Sequence, residues 1–436
     1  MILGTEMHSW ATDLFPMNRS LTGDGVRNTL AYLQKILPEM EINSAPTGTK
    51  AFDWTIPSEW NLTEAWIADE DDVRIIDTAD TNLHVVGYSE PVDTWMTVAE
   101  LDRHLHSLVE LPEAIPYVTS YYERRWGFCI SHRQRERLLR DPDRRVHVVI
   151  DSTLDAGELI WGELVLPGST DREVLLSTYV CHPSMANNEL SGPCVQAAVA
   201  RWLRDELPDR RLTYRILFTV ETIGPLVYLS RHLDHLRQKV IAGFVLTCLG
   251  DDRTYSWVAS RKGNTLADRV ARHILRQDQP DHTEYSFLER GSDERQYCSP
   301  GVNLPVCTLM RSKFGTYPEY HTSLDDLDLI SPEGLAGGFQ IVTECIRLLE
   351  AVGPYQVTTI GEPHLGARGL YPTLSTTETH RVVRTMMNLI AYSDGVNDLI
   401  AVADLLDLDA RDLIGTVDEL VDAGVLRRSS SPAADQ

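Results

Sequence analysis

The chain lacks any run of 18 apolar residues, which argues against a transmembrane helix. Its first residues contain Glu6 and Asp13 and show no basic segment followed by an apolar one, so a secretory signal is not expected. No Cys-x-x-Cys pair is present, which argues against a zinc ribbon. The seven cysteines are scattered and odd in number, so we expect buried, reduced thiols in a cytoplasmic protein.

Positive charge is also scarce, with 40 Lys and Arg residues against 64 Asp and Glu residues and a formal net charge of -24. Phosphate groups repel such a surface, so neither nucleic acid nor an anionic membrane is an expected partner. A chain of 436 residues with 43% hydrophobic residues is expected to form two or three domains with a sizeable core.

Three runs are apolar throughout and alternate with helical patterns: Val174–Tyr179, Thr213–Val220 and Val240–Cys248. Strands that are buried on both faces and separated by helices indicate an α/β fold with a mostly parallel sheet covered by helices. In such sheets the chemistry lies beyond the carboxyl ends of the strands.

The remaining patterns divide the chain into four segments. We predict that residues 1–50 begin the α/β domain, and that the short β-favouring runs of residues 51–131 form an inserted β-rich domain. We expect residues 132–352 to complete the α/β domain. Residues 353–436 are predicted to form a linker and a winged helix, because three helical segments precede a short strand.

Candidate chemistry follows the predicted strands. His182 comes shortly after the first apolar strand, Glu221 directly after the second, and His321 shortly before the last long helix. A His at a strand end is either a metal ligand or a hydrogen-bonded side chain. A Glu at this point is either a general base or a residue favoured by the helix dipole.

Taken together, these loops resemble the zinc aminopeptidases of the co-catalytic type, a family that also contains glutamate carboxypeptidases and glutaminyl cyclases. The chain is most similar to a bacterial branch known as polysaccharide-biosynthesis proteins with an aminopeptidase-like domain and a C-terminal winged helix. Four further motifs carry the resemblance: Arg19–Arg27, Phe52–Pro57, Asn82–Val86 and Tyr117–Cys129.

The resemblance implies that His182 and His321 are metal ligands and that Glu221 is the general base. Three further ligand positions of the family carry no carboxylate: Asn188 in place of a bridging Asp, Thr222 in place of a Glu, and a position near Thr247 in place of an Asp. Two imidazoles and the Asn188 amide oxygen form a weak divalent site, so we expect one zinc ion per chain at most.

Seven residues are candidates for contacts with a small-molecule or aminoacylated substrate: Arg261, Asp293, Arg295, Tyr297, Tyr320, Arg124 and Arg125. Arg124 and Arg125 precede Trp126. They are either a clamp for a substrate carboxylate or phosphate, or a surface pair whose stems pack on apolar groups.

Three functions are compatible with these features. The first is a metal-dependent hydrolase of amide bonds in small-molecule, natural-product or glycan biosynthesis. The second is a catalytically degenerate binding or scaffold protein, which Asn188 favours. The third is a transcription regulator, but residues Tyr355–Gln436 contain six basic and twelve acidic side chains. Phosphate contact is therefore unfavourable, and we expect the winged helix to serve protein contact or homo-oligomerisation.

Overall fold

The computed structural model describes residues 2–370 and 377–429. The chain divides into two compact units, Met1–Asp268 with Asp281–Gln340 and Arg269–Pro280 with Ile341–Gln436. In chain order the strands are β1 (Glu41–Pro46), β2 (Lys50–Ala51), β3 (Trp54–Thr55), β4 (Glu59–Ala68), β5 (Arg74–Asp77), β6 (Val92–Thr97), β7 (Leu105–His106), β8 (Phe128–Cys129), β9 (Arg145–Asp155), β10 (Glu158–Leu166), β11 (Glu173–Tyr179), β12 (Thr213–Thr219), β13 (Val240–Leu246), β14 (Ser256–Val258), β15 (Thr283–Tyr285), β16 (Val306–Met310), β17 (Tyr355–Val357) and β18 (Leu426–Arg428).

The α-helices are α1 (Ile2–Leu14), α2 (Asp24–Ile36), α3 (Val98–Leu101), α4 (His132–Leu138), α5 (Ser191–Asp205), α6 (Ile223–Lys239), α7 (Leu266–Asp278), α8 (Glu294–Tyr297), α9 (Pro332–Ala351), α10 (Thr377–Tyr392), α11 (Leu399–Leu406) and α12 (Ile414–Asp422). One turn of π-helix, Ala186–Leu190, leads directly into α5. Such turns occur often at functional sites, because they displace side chains from the regular helical spacing.

The first unit is built on an eight-stranded sheet with the order β1-β10-β12-β11-β13-β16-β14-β15. The four central strands β12, β11, β13 and β16 run parallel, whereas β10 and β14 pair with them antiparallel. Every residue of β11 is buried, as expected for a strand covered on both faces. The predicted parallel core is confirmed, and the carboxyl ends of β11, β12 and β13 lie side by side.

A separate four-stranded sheet has the order β5-β4-β9-β6 and is antiparallel throughout. Its strand β9 lies at Arg145–Asp155, so this sheet takes in residues beyond position 131, where the sequence pattern placed the end of the inserted domain. Trp60 on β4 stacks on Tyr88 with 5.7 Å between ring centroids.

In the second unit, α10, α11 and α12 precede the strand β18, which pairs antiparallel with β17. This is the predicted arrangement of three helices followed by a short strand. The carboxylate of Asp398 caps α11 and pairs with Arg269, with 2.5 Å between Nη1 and Oδ2. Residues 371–376 and 430–436 of the predicted linker and winged helix lie outside the described part.

All seven cysteines are buried and unpaired, which confirms the expectation from their spacing. Among the helices of residues 2–370 and 377–429, none combines the length and the apolar character that a membrane span requires.

Candidate active site

The candidate site lies where the central strands end. The loop after β11 carries His182, the turn after β12 carries Glu221, and the segment before α9 carries His321. The rings of the two histidines are 5.3 Å apart between centroids. The structure therefore brings together the three residues that the sequence pattern singled out, at the edge where parallel sheets place their chemistry.

His182 is held on both sides by carboxylates. Its Nδ1 lies 2.7 Å from Oε2 of Glu189, and its Nε2 lies 3.7 Å from Oε2 of Glu221. Burial and the Arg19 charge lower the pKa of His182 to about 3, so the ring is neutral near pH 7. When Nδ1 holds the ring proton, Nε2 directs a lone pair into the site, as a metal-binding histidine requires.

Arg19 supports this arrangement from behind. Its guanidinium donates to the backbone carbonyl oxygens of Leu14, His182 and Pro183 and lies 3.7 Å from Oε1 of Glu189. Burial raises the pKa of Glu189 to about 8, and the Arg19 charge opposes that rise. The contact between His182 Nδ1 and the Glu189 carboxyl group is therefore buried within the protein.

Asn188 and His321 form the opposite side of the site. Oδ1 of Asn188 lies 3.0 Å from Nε2 of His321, and its Nδ2 donates to the Tyr179 hydroxyl at 3.3 Å. The donation to Tyr179 fixes the amide so that its oxygen faces the histidine. His321 has a φ of 56° and stacks on Tyr320 with 3.9 Å between ring centroids. Burial lowers its pKa to about 3.

Glu221 sits at the start of a strained turn. The Ile223 N–H donates to the Glu221 carbonyl at 2.7 Å, and Thr222 between them has a φ of 65° and a ψ of -71°. This is a γ-turn, a rare conformation that is maintained only where the surroundings demand it. The Glu221 side chain keeps 23% of its surface exposed, and burial raises its pKa to about 7 against the opposing charge of Arg295.

The hydroxyls at the other family ligand positions are engaged elsewhere. Thr222 Oγ1 accepts a hydrogen bond from Arg295, and Thr247 Oγ1 lies 2.6 Å from the Tyr179 hydroxyl. Neither can offer a metal the charge of a carboxylate. The side chains with donors that a cation could use are His182, His321 and Asn188, which offer two imidazole nitrogens and one amide oxygen.

A second group of potential ligands, Cys181, His182 and Glu189, has donor atoms within 4.8 Å of one another in the part of the chain that is described. The Cys181 sulfur already accepts the Glu221 N–H at 3.2 Å, and burial raises the pKa of this thiol well above its usual value. Because the Glu189 carboxyl is bound to Nδ1 of His182, this group supports the histidine and is not itself a good metal site.

Several residues of the site were not predicted from the sequence. The ring of Tyr117 contacts both histidines at 5.2 Å, and its hydroxyl lies 2.7 Å from that of Tyr121. The Asp325 carboxylate accepts the N–H groups of Ala186, Asn187 and Asn188 at 2.6–3.1 Å. Asp325 lies in the loop before α9, and no local sequence pattern shows that it reaches the turn at Ala186–Leu190.

The predicted substrate contacts lie in three different settings. Tyr320, Asp293 and Arg295 belong to the site: Tyr320 stacks on His321, and Thr222 donates its N–H to Asp293 at 2.8 Å. The side chain of Tyr297 is fully buried and bonds to Ser177 at 2.8 Å. The other three are surface residues with partners of their own: Arg261 with Asn303, Arg124 with Glu90, and Arg125 with the Thr119 carbonyl.

Comparisons with known proteins show which family and which fold the chain resembles. Residues 8–352 match a family described as a domain of unknown function (DUF4910), and residues 353–428 match a winged helix-turn-helix family. A Clostridium acetobutylicum protein named "Putative polysaccharide biosynthesis protein with aminopeptidase-like domain" is 38% identical over 92% of this chain and 91% of its own length.

Solved structures show the same fold. A crystal structure of a "putative peptidase" from Clostridium acetobutylicum has a TM-score of 0.90 and 36% identity over 98% of this chain and 96% of its own. A zinc aminopeptidase from Bacillus subtilis has a TM-score of 0.57 and 12% identity, with 79% of this chain and 95% of its own covered. The predicted α/β aminopeptidase-like fold with a C-terminal winged helix is confirmed.

Proposed function

The chain belongs to the DUF4910 family and has an aminopeptidase-like fold, and we propose that it is a hydrolase of amide bonds that depends on one zinc ion. The observation that carries this proposal is the 3.7 Å approach of His182 Nε2 to the Glu221 carboxylate, with Glu189 bound to the opposite ring nitrogen. Hydrolysis by a metal-activated water needs two carboxyl groups here. One supports the metal-binding histidine through its other ring nitrogen, and the second accepts a proton from the water.

Three side chains would hold the ion: His182, His321 and Asn188. When bound, zinc polarises a carbonyl oxygen and makes water more acidic. At the two other ligand positions of the family, Thr222 and Thr247 offer hydroxyls that are bonded to Arg295 and Tyr179, and neither position has a carboxylate for a second ion. Two dications at close range repel strongly unless carboxylates lie between them, so the proposed site is mononuclear.

Glu221 would act as the general base. Its pKa of about 7 allows the carboxyl to accept a proton from the attacking water and then to release it to the leaving amine at neutral pH. The partly exposed side chain can reach a bound substrate. The Cys181 sulfur, which accepts the Glu221 N–H, and the γ-turn at Thr222 fix the backbone from which it projects.

The substrate would be a small-molecule or aminoacylated amide, because the named relative connects this fold with biosynthesis of a polysaccharide. We expect the protein to act in the cytoplasm, where the seven buried, unpaired cysteines would stay reduced. The test is turnover of a panel of aminoacyl amides by protein purified without chelator, before and after dialysis against a chelator. We expect turnover that is lost on chelation and restored by added zinc. The His321→Ala variant should show no turnover. Turnover unaffected by chelation would contradict it.

One observation favours a second function, a degenerate binding protein. The Asn188 oxygen and His321 Nε2 satisfy each other at 3.0 Å without any ion. A protein that binds an aminoacylated ligand without cleaving it would show no metal-dependent turnover for any amide of the panel, and yet would bind those amides.

For the winged helix we propose a protein partner or a second copy of the chain, and no nucleic acid. In α12 the acidic side chains Asp418, Glu419 and Asp422 are unaccompanied by any Lys or Arg. Arg411 before it is engaged by the carboxylates of Asp278, Asp409 and Glu344, which leaves its charge unavailable to phosphate.

A further inference from the structure

Arg295 is an unusual cation within the site. Its Nη2 donates to the Thr222 hydroxyl, whereas its Nε is buried and has no hydrogen-bond partner. Among the described residues, no carboxylate lies within 4.0 Å of the guanidinium. Buried donors are almost always satisfied in native proteins, because an unpaired donor loses its hydration without gaining a hydrogen bond. A partner for this Nε is therefore to be sought in a bound ligand.

The neighbouring Asp293 shows the same feature. Its Oδ1 accepts the Thr222 N–H at 2.8 Å, but its Oδ2 is buried and without a partner, and the side chain is fully inaccessible. Arg295 and Asp293 thus bracket the strained Thr222 residue, and each keeps one unsatisfied atom beside the turn that carries Glu221.

Charge indicates what kind of group completes this arrangement. An unpaired Nε–H on a guanidinium matches a carboxylate oxygen, which is a strong acceptor for a charged donor. Burial and the Glu221 charge raise the pKa of Asp293 well above its usual value, which favours the protonated carboxyl and weakens its repulsion of an anion. A phosphate can carry two negative charges, whereas a carboxylate carries one. The Glu221 side chain therefore repels a bound carboxylate less than a bound phosphate.

We propose that Arg295 binds a carboxylate of the substrate, and that the substrate class is amides with a free carboxylate, such as dipeptides and N-acyl amino acids. This rests on the proposed hydrolase function, because it places the carboxylate beside the residue assigned as the general base. Arg295 touches Thr222, the residue next to Glu221, so the bound carboxylate would lie close to the amide bond that is cleaved.

The test measures binding and not turnover. Glycyl-leucine and glycyl-leucinamide differ only in the terminal carboxylate, and zinc-loaded Glu221→Gln protein is titrated with each by calorimetry. We expect glycyl-leucine to bind at least about tenfold more tightly, since a hydrogen-bonded charge contributes roughly 1.5–3 kcal/mol. The preference for glycyl-leucine should vanish in the double variant Glu221→Gln/Arg295→Gln. It should be reduced in the double variant Glu221→Gln/Arg295→Lys, because Lys keeps the charge but loses the planar guanidinium.

The matched control is Arg261→Gln in the same background, because this exposed arginine bonds to Asn303 at 2.6 Å and should leave the preference intact. Melting temperatures of all variants check folding, and Arg295→Lys keeps the test valid if Arg295→Gln does not fold. Equal affinity for the two dipeptides, no binding of either at millimolar concentration, or a preference that survives the loss of Arg295 would each overturn the proposal. The hydrolase proposal fails separately, through absence of metal-dependent turnover in the wild-type chain.

Discussion

Glu189→Gln tests whether the carboxylate behind His182 supports metal binding. The Oε2–Nδ1 contact of 2.7 Å fixes the orientation of the ring, and the amide of Gln keeps the size of the side chain but loses its charge. Removal of such a supporting carboxylate typically lowers metal affinity 10- to 100-fold. At about 1.4 kcal/mol per factor of ten, this is a loss of roughly 1.4–2.8 kcal/mol in zinc binding.

The same change should also destabilise the apoprotein. Arg19 is fully buried and would lose its nearest carboxyl group, while it keeps three backbone carbonyl acceptors. Because the ion pair is 3.7 Å long and the carbonyls remain, we expect a loss of about 1–3 kcal/mol in the free energy of unfolding, below the usual 3–5 kcal/mol for a broken buried pair.

The assays are zinc competition against a chromogenic chelator and urea unfolding of the metal-free protein. Glu173→Gln is the matched control: this carboxylate pairs with Arg215 and His235 at the start of β11, whereas the site lies at its end. The control should lose stability and keep zinc affinity. The reasoning about Glu189 would be refuted if Glu189→Gln kept the wild-type zinc affinity within about twofold, against the 10-fold minimum expected.

Three further predictions follow from the same geometry. Asn188→Asp should tighten zinc binding, because a carboxylate adds charge to the donor atom that now faces His321; unchanged or weaker affinity in the chelator competition would argue against a role in binding the ion. Glu221→Gln should lower turnover about 10²- to 10⁴-fold with little change in the melting temperature, and near-wild-type turnover in a folded variant would exclude Glu221 as the base. The winged helix should show no sequence-dependent DNA binding by fluorescence anisotropy at modest salt, and submicromolar specific binding would contradict its assignment to protein contact.

The sequence allowed the sheet and the strand-end residues to be predicted, because both depend on local patterns. Runs that are apolar on every residue identified β11, β12 and β13, and polar residues directly after them marked His182 and Glu221. The parallel arrangement then places those ends at one edge of the sheet, whatever the details of the loops.

The support of the site could not be predicted in the same way. Arg19 reaches His182 and Glu189 across more than 160 positions, and no periodic pattern connects residues so far apart. The motif that contains Arg19 supports the resemblance to the aminopeptidase-like family, but that resemblance assigns no role to Arg19 itself. Tyr117 likewise comes from the segment predicted as an inserted domain, and only the fold shows that its ring packs against both histidines.

Side-chain directions in irregular loops also could not be predicted from the sequence. Asp293, Arg295 and Tyr297 are close in sequence, but the short helix α8 turns the Tyr297 side chain into the core, where it bonds to Ser177. The γ-turn at Thr222 depends on the N–H acceptor Asp293 and the donor Arg295, both supplied by a loop about 70 residues later. Their side-chain directions follow no helical or strand spacing, so the sequence did not separate them.

The central claim is that one zinc ion is held by His182 and His321, with Asn188 completing the protein donors. The most direct test is metal counting by inductively coupled plasma mass spectrometry on protein purified without chelator and then saturated with zinc. We predict one equivalent per chain, lost in His182→Ala and in His321→Ala and retained in His232→Ala, a control for a histidine on α6 that packs against Tyr228. Two equivalents per chain, or one equivalent that survives both site substitutions, would contradict the account.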